Sequence, residues 1–303
     1  MRLNSSLAAL LLGCSISPYF GQRPAAATPV TPDEQYVLGP DSQPQARVPV
    51  GRVLEFTLAD SKTFPGFEHR WSLYIPAQYD GKAPAALMVF QDGGWYAQRD
   101  GAWRVPVVLD NLIARKELPV MAAVFVNPGT SIGKKADGSP IDSNRSVEYD
   151  TLSAAYATFL LEEILPEVRR HIEIINSPEA RGISGCSSGG IAAFTVAWQR
   201  PDQFRKVISF SGSFTNIRGG QVYPTLIRET NKKPLRVFQQ SGTHDMVVPG
   251  WGIWSEANKA VAAALDDKGY DHQFIFGQDV HCGKQGGAIF PDAMRWTWRD
   301  FPR

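Results

Sequence analysis

The sequence predicts an α/β fold: a single domain with a mostly parallel central sheet flanked by helices. Three observations carry this. Short apolar runs, each ending in Gly, Asp, Asn or Ser, recur along the chain, as a sheet buried on both faces requires. Helical patterns stand between them, and alternating strand and helix gives parallel strands joined by right-handed crossovers. The 303 residues, 43% hydrophobic and 20% charged, are enough for one large core. With 31 Lys and Arg against 30 Asp and Glu, the formal charge is only +1. The unbalanced basic surface that drives nucleic-acid binding is therefore missing. No internal repeat of about 20–50 residues is evident, which argues against a solenoid.

Residues 1–27 read as an export signal: Arg2 is the positive charge, residues 7–13 the apolar run, and Ala25-Ala26-Ala27 the small-residue cleavage site. The run is shorter than the ~20 residues a transmembrane helix needs. Leu11-Leu12-Gly13-Cys14 is also similar to a bacterial lipobox, so a lipid anchor on Cys14 stays open beside soluble export, as does an uncleaved N-terminus. Export places the chain outside the cytoplasm, secreted or periplasmic, where cysteines pair. Residues 28–50, rich in Pro, Gln and Thr without periodicity, read as a linker, and residues 51–303 as the catalytic domain.

Residues 52–58 and 70–75 alternate like half-buried strands around a Phe64-Pro65-Gly66 turn. Residues 85–90, 120–126, 181–184, 207–210, 235–238 and 272–276 are the buried strands. Helical patterns cover residues 151–171, 190–199, 254–267 and 288–299, with Pro166 expected to bend or end the first.

Gly185-Cys186-Ser187-Ser188-Gly189 matches G-x-S-x-G between a short strand and a helix, the context of a nucleophile elbow. The two glycines leave room for a sharp turn that lifts Ser187 clear of the sheet, and the Ser188 N–H becomes an oxyanion donor. In the α/β-hydrolase fold the acid and the histidine follow the serine in that order. His281 lies in the loop after the last strand and is the expected base, brought to the sheet edge by a flexible run at residues 282–287. Asp245 follows the penultimate strand and would orient it. His244 is the second choice of base, and Glu256 or a Ser–His dyad the alternative to Asp245. His69, His171 and His272 read as structural or surface residues. The second oxyanion donor is expected from Gly93 or Gly94 in Gln91-Asp92-Gly93-Gly94-Trp95-Tyr96, with Trp95 and Tyr96 lining the substrate pocket or merely packing. Cys186 precedes Ser187 and Cys282 follows His281, so bringing the pair together draws the cysteines close; a disulfide is expected, with two free thiols as the alternative. No metal cluster, phosphate loop or nucleotide motif stands in the sequence, so no cofactor is expected.

These residues resemble the enterochelin-esterase-like branch of the α/β-hydrolases, which includes esterase D and carbohydrate esterase family 1. The likeness rests on Tyr74-Ile75-Pro76-Ala77-Gln78-Tyr79-Asp80, Phe90-Gln91-Asp92-Gly93, Arg145-Ser146-Val147-Glu148-Tyr149-Asp150, and Lys284-Gln285-Gly286-Gly287-Ala288-Ile289-Phe290. It implies a serine ester hydrolase with Ser187 and His281 at its centre, acting on feruloyl or acetyl polysaccharide esters or on siderophore esters. The acid loop departs from the family pattern, and of its acidic positions only Asp245 remains. The Cys-Ser and His-Cys pairs are similar to the disulfide-linked triads of tannases and fungal feruloyl esterases. An acyltransferase on the same scaffold and a non-catalytic glycan- or siderophore-binding protein are the alternatives. The oligomeric state is not written in the sequence.

Overall fold

Eight strands lie side by side: β1 Arg52–Leu58, β2 Phe67–Ile75, β3 Ala86–Gln91, β4 Met121–Val126, β5 Arg181–Cys186, β6 Lys206–Phe210, β7 Arg236–His244 and β8 Asp271–Val280. Their order is β1-β2-β4-β3-β5-β6-β7-β8, and the short Thr130–Ser131 strand also pairs with β2. β2 runs antiparallel to β1 and β4, and every pair from β4 to β8 is parallel. The structure is a computed structural model that describes residues 32–135, 137–139 and 142–302. The expected signal, with Cys14, lies outside the described residues.

β3, β4 and β5 are buried at every position, which is why their sequences are unbroken apolar or small-residue runs. Their side chains alternate between two cores. Leu87 and Val89 join the cluster beneath the Ser188–Gln199 and Trp254–Asp267 helices. Ala86, Met88 and Phe90 join the one beneath the Val105–Ala114 and Lys284–Trp298 helices. β1 is an edge strand and alternates instead.

The pattern at residues 151–171 resolves into Ala155–Phe159, a π-helical Leu160–Ile164 and a short Leu165–Val168 helix. Pro166 has no N–H to bond one turn back, and the preceding turn widens so that the Leu165 N–H reaches the Leu160 carbonyl. Residues 282–287, expected as a flexible run, are not one, because the last helix already starts at Lys284. Gly286 and Gly287 are needed for close approach: a Cβ would lie 2.5 Å from the Trp103 ring at the first and 2.1 Å from the Ala102 carbonyl oxygen at the second. Within residues 28–50, expected as a linker, Asp41 and Gln43 are held by side chains of the domain. The Asn111 amide donates to the Asp41 and Gln43 carbonyls at 2.8 and 2.9 Å, and Arg115 and Arg295 each grip the Asp41 carboxylate at 2.6 Å.

Candidate active site

The turn after β5 is as tight as its glycines require, since a Cβ at Gly185 would stand 2.4 Å from the Gly189 backbone. At its apex Ser187 adopts φ 60° and ψ −125°, a conformation L-residues rarely hold. Its N–H donates to the Phe210 carbonyl and its own carbonyl accepts from the Ser213 N–H, both at 3.0 Å, so β6 and the loop beyond it hold the strained turn. The Oγ is thereby presented at the C-terminal edge of the sheet, 2.8 Å from His281 Nε2. Ser213 Oγ lies 3.2 Å from the same hydroxyl and accepts from Trp254 Nε1 at 3.0 Å.

β7 and β8 are parallel neighbours, so their ends deliver Asp245 and His281 side by side. His281 Nδ1 is 2.5 Å from Asp245 Oδ1. The Asp245 side chain is fully buried and also accepts from the Ser241 hydroxyl at 2.6 Å and the Met246 N–H at 2.8 Å. Burial alone would raise its carboxyl; hydrogen bonds from His281 and Ser241 outweigh that and hold it below the usual carboxylate range. An ionised Asp245 requires the His281 proton on Nδ1, leaving the Nε2 lone pair facing the Ser187 hydroxyl. Cys186 and Cys282 are joined in a disulfide with their Cα atoms 6.0 Å apart. It fastens the residue before Ser187 to the residue after His281.

A cavity of about 520 Å³ opens over Ser187 and His281 and is lined by Gly94 and Trp95 as well. Trp95 is 58% exposed. Tyr96 is not in this lining; it is buried, 5.2 Å from the Phe90 ring and 4.7 Å from Trp103, because the short Gly93–Tyr96 helix turns it into the core. Gly93 packs on β4, where a Cβ would lie 2.3 Å from the Phe125 backbone. Gly94 lines the cavity, and its N–H donates to Asn127 Oδ1 at 2.9 Å. Ser188 opens its helix, so its N–H has no acceptor one turn back.

The other histidines are occupied elsewhere. His69 is buried against Glu148 at 3.0 Å, His171 lies 3.5 Å from Glu167, His244 bonds Thr243, and His272 bridges Asp266 and Gln239. Glu256 pairs with Lys259 within its helix. Asp92, Asn127 and Arg145 complete the cavity wall; Arg145 belongs to the 129–150 loop that the sequence suggested would shape the pocket, but none of the three was singled out as a site residue. Arg145 grips Asp92 through two hydrogen bonds of 2.8 and 2.7 Å, across 53 residues of chain, and no local pattern announces such a pair. Among the described residues no cluster of three or more His, Cys, Asp or Glu is placed to hold a metal, and no helix is long and apolar enough to cross a membrane.

The model of the family described as “Putative esterase” matches residues 62–275, well over half of the chain. The chain belongs to this esterase family. An iron(III) enterobactin esterase from Dickeya dadantii is 25% identical over 248 residues, covering 76% of this chain and 51% of that protein. Among solved structures, the enterobactin esterase of Shigella flexneri determined in the presence of enterobactin aligns with a TM-score of 0.65 at 21% identity. That alignment covers 85% of this chain and 62% of the other. A CE1 ferulic acid esterase from the anaerobic fungus Anaeromyces mucronatus aligns with a TM-score of 0.67 at 18% identity, covering 87% and 98%. The shared fold is that of the α/β-hydrolases, with its mostly parallel sheet between helices. The chain spans about half the length of the curated enterobactin esterases it matches.

Proposed function

We propose that the chain is an exported serine esterase that cleaves carboxylic esters through an acyl-enzyme on Ser187. The observation that carries this is the continuous hydrogen-bonded line from Ser187 Oγ through His281 to Asp245, built on a strained strand-to-helix turn. His281 Nε2 takes the hydroxyl proton as Ser187 Oγ attacks the ester carbonyl, and Asp245 stabilises the imidazolium. The tetrahedral oxyanion rests on the Ser188 N–H and a second backbone donor. Gly94 suits this better than Gly93, because it borders the cavity while Gly93 is packed on β4. Its N–H already holds an oxygen, Asn127 Oδ1, at hydrogen-bond distance, and the substrate oxyanion would take that oxygen's place. His281 then returns the proton to the leaving alcohol, and water attacking by the same route frees the acid.

Arg145 borders the cavity but its charge is met by Asp92, which suits a neutral acyl group. The exposed Trp95 ring suits an aromatic one. Similar structures were determined with 2,3-dihydroxy-N-benzoyl-serine and with ferulic acid, both aromatic, so feruloyl and siderophore-type esters join simple acetyl esters as test substrates. The disulfide and the N-terminal signal pattern support export. The test is hydrolysis of p-nitrophenyl acetate and methyl ferulate. Ser187→Ala is expected to lower kcat by about 10⁵–10⁶-fold, to near background, and to abolish labelling by a fluorophosphonate. A Ser187→Ala protein that keeps its rate, or a wild-type protein that neither turns over esters nor labels, overturns the reading.

A further inference from the structure

Ser187 Oγ has a polar neighbour besides His281. Ser213 Oγ lies 3.2 Å from it and 3.0 Å from Trp254 Nε1. Ser213 and Trp254 are each only 1% exposed, so this side of the nucleophile is closed to bulk water. Bonds to the backbone fix both residues. The Ser213 N–H donates to the Ser187 carbonyl and the Trp254 N–H to the Met246 carbonyl, both at 3.0 Å. The buried Asn258 amide donates to the Gly212 and Trp254 carbonyls at 2.9 Å each. It thereby clamps the residue before Ser213 to the start of the Trp254–Asp267 helix.

The direction of each bond follows from what the groups can do. An indole N–H only donates, so Ser213 Oγ accepts from Trp254. The Ser213 hydroxyl has one proton to give, and among the described residues its remaining partner is Ser187 Oγ. The Ser187 proton is committed to His281 Nε2, whose other ring nitrogen carries its own proton towards Asp245. Donation therefore runs one way, from Trp254 to Ser213 to Ser187 to His281.

We propose that Ser213 is a further catalytic residue, a hydrogen-bond donor that assists the departure of the Ser187 oxygen when the acyl-enzyme is broken down. The inference rests on the esterase reading of Ser187. In the acyl-enzyme that oxygen shares its lone pair with the acyl carbonyl and is a weak acceptor. Water adds to the acyl carbon and gives a proton to His281. As the tetrahedral intermediate collapses, the C–Oγ bond breaks, its electron pair goes to Oγ, and the His281 proton follows. Oγ is a far stronger acceptor at that point, so the Ser213 bond tightens towards the transition state and lowers the barrier. Ser213 keeps its own proton throughout. In acylation the sense is opposite: Oγ passes from a good acceptor to a poor one, and the bond gives no help.

The test uses p-nitrophenyl acetate and reads the two half-reactions separately. The deacylation rate constant is the steady-state rate divided by the amount of acetylated Ser187 in acid-quenched protein, measured by mass spectrometry. Acylation is read from kcat/KM. In Ser213→Ala, the deacylation constant is expected to fall about tenfold, the worth of one hydrogen bond to a developing charge, with kcat/KM within about twofold of wild type. Trp254→Phe removes the donor that fixes the direction of the Ser213 hydroxyl. It is expected to slow deacylation more when Ser213 is present than in the Ser213→Ala background. An unchanged deacylation constant in Ser213→Ala overturns the proposal. So does a fall in kcat/KM as large as that in deacylation, since Ser213 would then only hold Ser187 in place. An equal effect of Trp254→Phe in both backgrounds overturns it as well. In each of these cases acetylation of Ser187 leaves the esterase reading standing. A wild-type protein that neither turns over the ester nor becomes acetylated at Ser187 overturns both.

Discussion

Three donors meet the Asp245 carboxylate, and each fixes something different. The His281 bond sets the tautomer, the Ser241 hydroxyl holds the second oxygen, and the Met246 N–H pins the carboxylate to its own loop. An amide of the same shape cannot satisfy all three, because one oxygen becomes an NH₂ that only donates. In Asp245→Asn, an amide oxygen kept towards the Met246 N–H and His281 turns the NH₂ on Ser241, and the reverse orientation puts the wrong tautomer on His281. We expect kcat for p-nitrophenyl acetate to fall by about 10⁴-fold, with far-ultraviolet circular dichroism unchanged. A fall of less than tenfold would mean that His281 is oriented by other contacts, such as the edge-on Trp254 ring 5.8 Å away. That Ser187, Asp245 and His281 would meet was legible from their chain order and from Asp245 being the sole carboxylate between β7 and the next helix. Ser213, Ser241 and Trp254 were not, because a hydroxyl or indole gains its role only when the fold places another polar atom beside it.

At the level of elements, the site is a junction between the end of β5 and the loop after β8, and the disulfide spans it. The sheet brings these ends near each other, but β5 and β8 are separated by β6 and β7, so no ladder hydrogen bond joins them. The Cys186–Cys282 link supplies that direct connection across a sequence separation of 96. Closing a loop of that length is worth about 4–5 kcal/mol in the chain-entropy model. The Cys186→Ala/Cys282→Ala protein is therefore expected to lose roughly that much in urea unfolding. Its kcat is also expected to fall under conditions where it is still fully folded, since the His281 loop loses its nearest anchor. An unchanged kcat in the folded double variant would show that β8 and the Lys284–Trp298 helix position the imidazole unaided. The strands were readable because burial on both faces leaves unbroken apolar runs. The start of the last helix was not: Gly286 and Gly287 look like loop residues, and only their contact with Ala102 and Trp103, far earlier in the chain, explains them. The helix Arg145–Asp150 was hidden for the same reason, since Asp92 and Tyr149 bind across more than 50 residues.

Over the whole molecule, the two ends of the parallel strands carry opposite kinds of chemistry. The C-terminal end gathers the proposed catalytic groups, while at the start of β6 a lysine is folded into the sheet. Lys206 donates to the Glu179 carbonyl and lies over the Trp298 and Phe301 rings at 4.7 and 5.1 Å. Burial, and then the nearby Arg236 charge, bring its ammonium down to about 8. In the unfolded chain the same group titrates near 10.4. Between these values the unfolded chain binds more protons than the folded one, so this group makes stability rise with pH from about 8 to about 10. Below that window both states are charged, the slope vanishes, and the cost of burying the charge is fully present. Above it the sign reverses for other groups. Burial raises the hydroxyls of Tyr96, Tyr149 and Tyr156, so the unfolded chain ionises first and stability falls. Lys206→Met keeps the stem between the two rings and removes the charge. Its unfolding free energy is expected to match or exceed that of the wild type at pH 7, and to lose the rise between pH 8 and 10 that the wild type shows in urea titrations. Both proteins share the same remaining charges, so general self-repulsion at alkaline pH cancels in the comparison. Parallel profiles across that window would mean that the Lys206 ammonium keeps its ordinary basicity, and that the aromatic rings with the Glu179 carbonyl replace its lost hydration in full.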